Sequence, residues 1–92
     1  MRLKVEFTTE PFALDGFPDH AKAARRAVDE AGLTVDVGPF GTSAEGEADD
    51  ALAAVTRLLR DSLASGATRI SVQVSTLDAD GTPIADREEQ SG

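Results

Sequence analysis

The sequence predicts an α+β sandwich: a four-stranded antiparallel sheet with two helices packed on one face. Three observations carry that reading. Four short segments alternate apolar with polar residues, as half-buried strands do. Two longer segments repeat apolar residues at helical spacing. Their order along the chain is β-α-β-β-α-β.

The first strand begins at once. Leu3, Val5 and Phe7 point one way; Arg2, Lys4, Glu6 and Thr8 point the other. Pro11 closes it, because proline donates no ladder hydrogen bond. After a connection over 12–18, Asp19 is the expected N-cap of the first helix. Ala21, Ala24, Val28 and Ala31 form its stripe, and Gly32 stops it. An alanine stripe lets a helix approach its neighbour closely. Leu33, Val35 and Val37 mark the second strand. The link Gly38-Pro39-Phe40-Gly41 then reads as a hairpin turn into a short third strand, Thr42 to Glu45, ended by Gly46.

Glu47 or Asp49 is positioned to cap the second helix, and the acids Glu47, Asp49 and Asp50 complement its dipole. Leu52, Val55, Leu59 and Leu63 form the expected apolar stripe, and Gly66 ends it. Ile70, Val72 and Val74 alternate with Arg69, Ser71, Gln73 and Ser75 in the fourth strand. Two split crossovers in this order give the ferredoxin-like arrangement, βαββαβ, with spatial strand order 4-1-3-2. Residues 1–77 are read as one domain. Residues 78–92 are read as an acidic, mobile tail with a brief Asp80-Gly81 turn.

The 92 residues suffice for one domain, and the core must be built from Val, Leu, Ile and Ala, since the aromatics are only four phenylalanines. A core that small often gains from oligomerisation. The net charge is −8, of which half lies in the segment 78–92. Such a balance repels phosphate backbones, and no basic stripe with interleaved aromatics is present, so nucleic acid is not an expected partner. The absence of cysteine excludes disulfides, thiolate metal sites and thiol nucleophiles. Neither a signal-peptide core nor an 18-residue apolar run is present, so a cytoplasmic protein without membrane association is expected.

The junction GPFGTSAEGE, Gly38 to Glu47, is the richest stretch for function. Its bland reading is a hairpin turn with Phe40 packed beneath and Glu45 paired across strands with Lys4 or Arg69. Gly41 and Gly46 have phosphate-loop spacing, but Glu47 and Ala48 stand where Lys and Ser/Thr are required, which rejects a nucleotide site. His20, the one histidine, sits near a helix start, where a solvated or weakly capping role is expected. Asp78-x-Asp80-Gly81 opens like a calcium loop but lacks the remaining ligands, so no native metal site is expected. No Ser/His/Asp constellation is present; Glu6 or Glu45 acting alone as general base is the one catalytic alternative.

Val35 to Ser75 resembles the thiamine-binding protein family. The resemblance rests on Gly38-Pro39-Phe40-Gly41-Thr42, then Glu45-Gly46 and an acidic helix start, then Gly66-Ala67-x-Arg69 before the last strand. The long, Phe-rich segment EFTTEPFALDGFPDH departs from the pattern. The resemblance implies a binding protein rather than an enzyme, without cofactor. It assembles as a dimer or tetramer through its sheet and binds thiamine or its hydroxymethylpyrimidine half for sequestration or delivery. The chemistry suits the residues. Glu45 or Glu6 can accept from an exocyclic amine, and Thr8, Thr42 or Ser71 can donate to a ring nitrogen. Phe40 can lie against the ring face. The expected ligand residues are therefore Thr42, Glu45, Glu6, Thr8, Phe40 and Ser71. The competing expectation is an oligomeric regulatory or interaction module with no small-molecule ligand.

Overall fold

The computed structural model describes residues 1–13, 15–38 and 41–82. The expectations for Pro39, for Phe40 and for most of the tail, residues 83–92, lie outside the described residues. The elements are β1 (Arg2–Glu10), α1 (Asp19–Glu30), β2 (Thr34–Gly38), β3 (Gly41–Glu47), α2 (Ala48–Ala64) and β4 (Arg69–Leu77). All four strands pair antiparallel in the order β2-β3-β1-β4, so β3 and β1 are central. This is the ferredoxin-like α+β sandwich that the sequence predicts.

The core lies between the sheet and the helices. Leu3, Val5 and Phe7 of β1 and Ala44 of β3 supply its floor; Val28 of α1 and Leu58 of α2 close it from above. Each fully buried side chain of Val or Leu size contributes about 1.5–3 kcal/mol by its removal from water. Arg57 of α2 ties the helices together: its Nη2 donates to Glu30 Oε1 at 2.6 Å and its Nε donates to Asp61 Oδ2 at 3.1 Å. These hydrogen bonds, the one to Glu30 foremost, raise the proton affinity of the guanidinium.

Several local expectations are corrected. In α2 the buried residues are Ala51, Ala54, Leu58 and Ser62, whereas Leu52, Leu59 and Leu63 are exposed and Val55 is half-buried. The helix is thus turned by about one residue, roughly 100°, from the leucine stripe. Two helices side by side on a small sheet need small residues where they crowd, and the alanines of both helices meet that need: Ala24 and Ala27 of α1 share one cluster with Ala51 and Ala54. In α1, Ala24 and Val28 are buried as expected and Ala31 packs against the core, while Ala23, Ala27 and His20 complete the face and Ala21 is only half-buried.

His20 is not solvated. It is 4% exposed, and its Nδ1 lies 2.8 Å from Thr9 Oγ1, a bond that fastens the start of α1 to the end of β1. The N-cap of α1 is Pro18, not Asp19; its carbonyl accepts from the N–H groups of Ala21 and Lys22. Glu47 holds the N-cap position of α2, but its side chain makes no capping hydrogen bond. Strand β3 is longer than expected and runs through Gly46. Glycine serves there as a gap rather than a stop, because a Cβ at that position would run into Leu33 Cδ2.

Candidate ligand site on the open sheet face

Alternation along each strand leaves the sheet with a polar face that neither helix covers. Cross-strand register sorts that face into rows. Asp36, Ser43, Glu6 and Gln73 stand side by side from β2 to β4. The next row is Gly38, Gly41, Thr8 and Ser71, where Thr8 pairs directly with Ser71 and Gly38 with Gly41. The row on the other side holds Thr34, Glu45, Lys4 and Ser75. With strands about 4.8 Å apart, each row is about 14 Å long, enough for one small heterocycle and a substituent.

The glycine row makes a hollow. Gly38 and Gly41 add no side chains on the β2–β3 half, so the neighbouring polar groups look into open space. A basin of about 410 Å³ results, lined by Glu6, Thr8, Asp36, Ser43, Ser71 and Gln73 among others. That volume falls in the range of small-molecule sites. Gly41 also permits close approach of the strands: a Cβ there would lie 2.9 Å from Thr8 Cγ2 and 3.1 Å from the Phe7 carbonyl oxygen. Of the charged lining residues, Glu6 and Asp36 are acidic and Lys4 is basic, so the basin carries a small net negative charge. The arrangement offers carboxylate acceptors, hydroxyls of both capacities and one amide.

The structure brings Glu6, Thr8 and Ser71 together in this basin. Thr42 lines its margin but stands opposite Phe7 and Val37 on the helix side of the sheet. Glu45 shares the open face, directly opposite Lys4, and lies outside the basin lining. Arg69 pairs with Glu10 instead, at 3.5 Å. Strand alternation puts Asp36, Ser43 and Gln73 on the polar face, and the register shows that they share one row with Glu6. The carboxylate of Asp78 serves its own turn, with Oδ1 accepting from the N–H groups of Asp80 and Thr82. Among the described residues no metal-ligand cluster of three or more acidic or histidine side chains is present. No helix among them is long and apolar enough to cross a membrane.

Comparison with solved structures returns the same fold. A candidate thiamine biosynthesis/salvage protein from Thermotoga maritima is 23% identical, with TM-score 0.64 and 100% of each chain covered. A domain of unknown function from Bacillus cereus is 24% identical, with TM-score 0.65, covering 94% of this chain and 86% of that one. A Streptococcus pneumoniae protein is 18% identical, with TM-score 0.67, covering 97% and 99%. The comparison with curated proteins gives no match. The family model for thiamine-binding protein matches residues 5–87, which takes in all four strands from Val5 onward, both helices and the basin. The chain belongs to the thiamine-binding protein family.

Proposed function

We propose that this protein binds thiamine, or the hydroxymethylpyrimidine half of it, in the basin on the open sheet face, and that it holds or delivers the ligand without transforming it. The carrying observation is the placement of Glu6 between Ser43 and Gln73, beside the Thr8–Ser71 pair and the glycine hollow. An aminopyrimidine ring has an amine that donates and ring nitrogens that accept. Glu6 accepts from the amine, while Thr8 or Ser71 donates to a ring nitrogen. Glu6 and Asp36 favour the thiazolium cation and disfavour a diphosphate. Thr42, at the margin, completes the wall in this reading, and Glu45 acts from the neighbouring row. The protein works in the cytoplasm, as a dimer or tetramer whose second copy lies over the open face.

Calorimetric titration with thiamine, hydroxymethylpyrimidine and thiamine diphosphate tests the reading. Saturable heat is expected with the first two. Glu6→Gln is expected to weaken that binding about 10-fold, because the amide oxygen still accepts but without the charge that strengthens the bond. Absence of heat with all three compounds, or wild-type affinity in Glu6→Gln, would overturn it. A second reading, an assembly module without ligand, draws support from the exposed Leu52, Leu59 and Leu63 on α2.

A further inference from the structure

A second cavity adjoins the basin at Phe7, Thr8, Gly38, Gly41 and Thr42 and runs from there to the helix side of the sheet, where basic side chains join its rim. It runs between the β1–α1 connection, one flank of α1 and the helix-side end of the β2–β3 pair, with a volume of about 910 Å³. Ala21 and Val37 give it an apolar floor, with the buried Phe7 and Ala24 beneath. Phe12 and Phe17, both from the connection, stand at its edge with 74% and 70% of their surface exposed. Two exposed phenylalanines on one short segment, over an apolar cavity, are a large amount of wet aromatic surface for a chain with four.

The rim is cationic. Lys22, Arg25 and Arg26 line it, three of the nine basic residues of an acidic protein. Two acids also line it: Asp29 is paired within the rim, which leaves Lys22 and Arg26 as its unpaired cations among the described residues, and Glu30 is paired with α2. Asp29 Oδ2 accepts from Arg25 Nε at 3.0 Å, and Glu30 Oε1 accepts from Arg57 Nη2 at 2.6 Å. Lys22 and Arg26 therefore stand on the rim, exposed and without a carboxylate partner among the described residues.

We propose that this groove is a second ligand site, for a small organic anion with an apolar body. The body lies on Ala21 and Val37 beside Phe12 and Phe17, and the anionic head meets Lys22 and Arg26. Charge-assisted hydrogen bonds to a lysine and an arginine fix the head, while burial of the body supplies affinity. The thiazolium cation of thiamine is repelled by the same rim, so the two sites select different ligands.

The test is a fluorescence titration of the full chain with anilinonaphthalene sulfonate, followed by displacement with octanoate and, separately, with octanol. One saturable probe site per chain is expected, displaced by octanoate far better than by octanol. The double variant Lys22→Ala/Arg26→Ala is expected to weaken octanoate about tenfold or more, since two charge-assisted contacts are lost. Both residues are exposed, so the fold is retained, and a thermal melt verifies it. Glu6→Gln serves as the control and leaves octanoate affinity unchanged whatever it does to thiamine. Non-saturable probe binding, equal displacement by octanol, or unchanged affinity in the double variant would each overturn the proposal. So would a Phe12→Ala/Phe17→Ala variant that sediments with a lower mass but binds octanoate normally, because the groove would then be an interface between copies.

Discussion

The basin and the groove meet at one end of the sheet, where Phe7, Thr8, Gly38, Gly41 and Thr42 border both, and then diverge. On β1, Glu6 lines only the basin and Thr9 only the groove, while Phe7 and Thr8 border both. The basin is shallow and ringed by hydroxyls, carboxylates and one amide, with a weakly negative balance; the groove is larger, with Lys22 and Arg26 unpaired on its rim among the described residues. Strand alternation is enough to produce this contrast, because adjacent residues on a pleated strand point to opposite faces. What differs is the partner layer. On the open side the strands meet only each other. On the helix side α1 brings Lys22, Arg25 and Arg26 over the end of the sheet, which it does because His20 and Thr9 bind its first turn to β1. A chain of this size can therefore carry two differently charged surfaces a single residue apart along one strand.

The comparison breaks most severely at Phe7. This residue is 6% exposed, belongs to the core and lines both cavities. Phe7→Ala is expected to lower stability by about 3–5 kcal/mol, measured by urea unfolding, and to abolish binding at both sites together. Survival of either site in this variant would show that the two do not share a wall.

A smaller effect sharpens the contrast. Gly41→Ala places a methyl group against Thr8 Cγ2 and the Phe7 carbonyl oxygen. A loss of about 1–3 kcal/mol is expected from the forced shift. Thiamine affinity is expected to fall as well, because Thr8 must move out of its row. Thermal unfolding and calorimetry on the same preparation check both outcomes, and a stable variant with full affinity would mean that the glycine row is dispensable.

The smallest change should act on neither site. Ser62 lies fully buried in α2, and its Oγ has no hydrogen-bond partner among the described residues. Ser62→Ala removes that unpaired hydroxyl and raises helix propensity, so a gain of about 1 kcal/mol is expected. Both ligand affinities should stay at their wild-type values. A destabilised Ser62→Ala would point to a partner for the hydroxyl.

Legibility in the sequence varied by element for physical reasons. The alternation of β1 and β4 was plain because each has one apolar and one polar face, and the apolar faces carry large residues. The polar row through Glu6 was half-legible: alternation put Asp36, Ser43 and Gln73 on its face, but register decided which of them are neighbours. Thr42 and Glu45 sit close in sequence, yet their odd separation sends them to opposite faces, which parity alone could have shown. The α2 face was misread because leucine outweighs alanine in hydrophobicity, while close helix packing selects for small volume. Nothing local marked His20 as buried, since its partner Thr9 lies eleven residues away.

By itself, then, the sequence determined the element order, the strand faces, the strand order and the family resemblance through Gly38 to Gly46. These follow from short-range periodicity and turn chemistry, which need no knowledge of neighbours in space. The tertiary structure alone decided which polar residues form a basin, which side of α2 is buried, and how three basic residues of α1 come to rim an apolar groove. Those outcomes depend on cross-strand register and on the volumes of packed side chains, and both are settled only when distant segments meet.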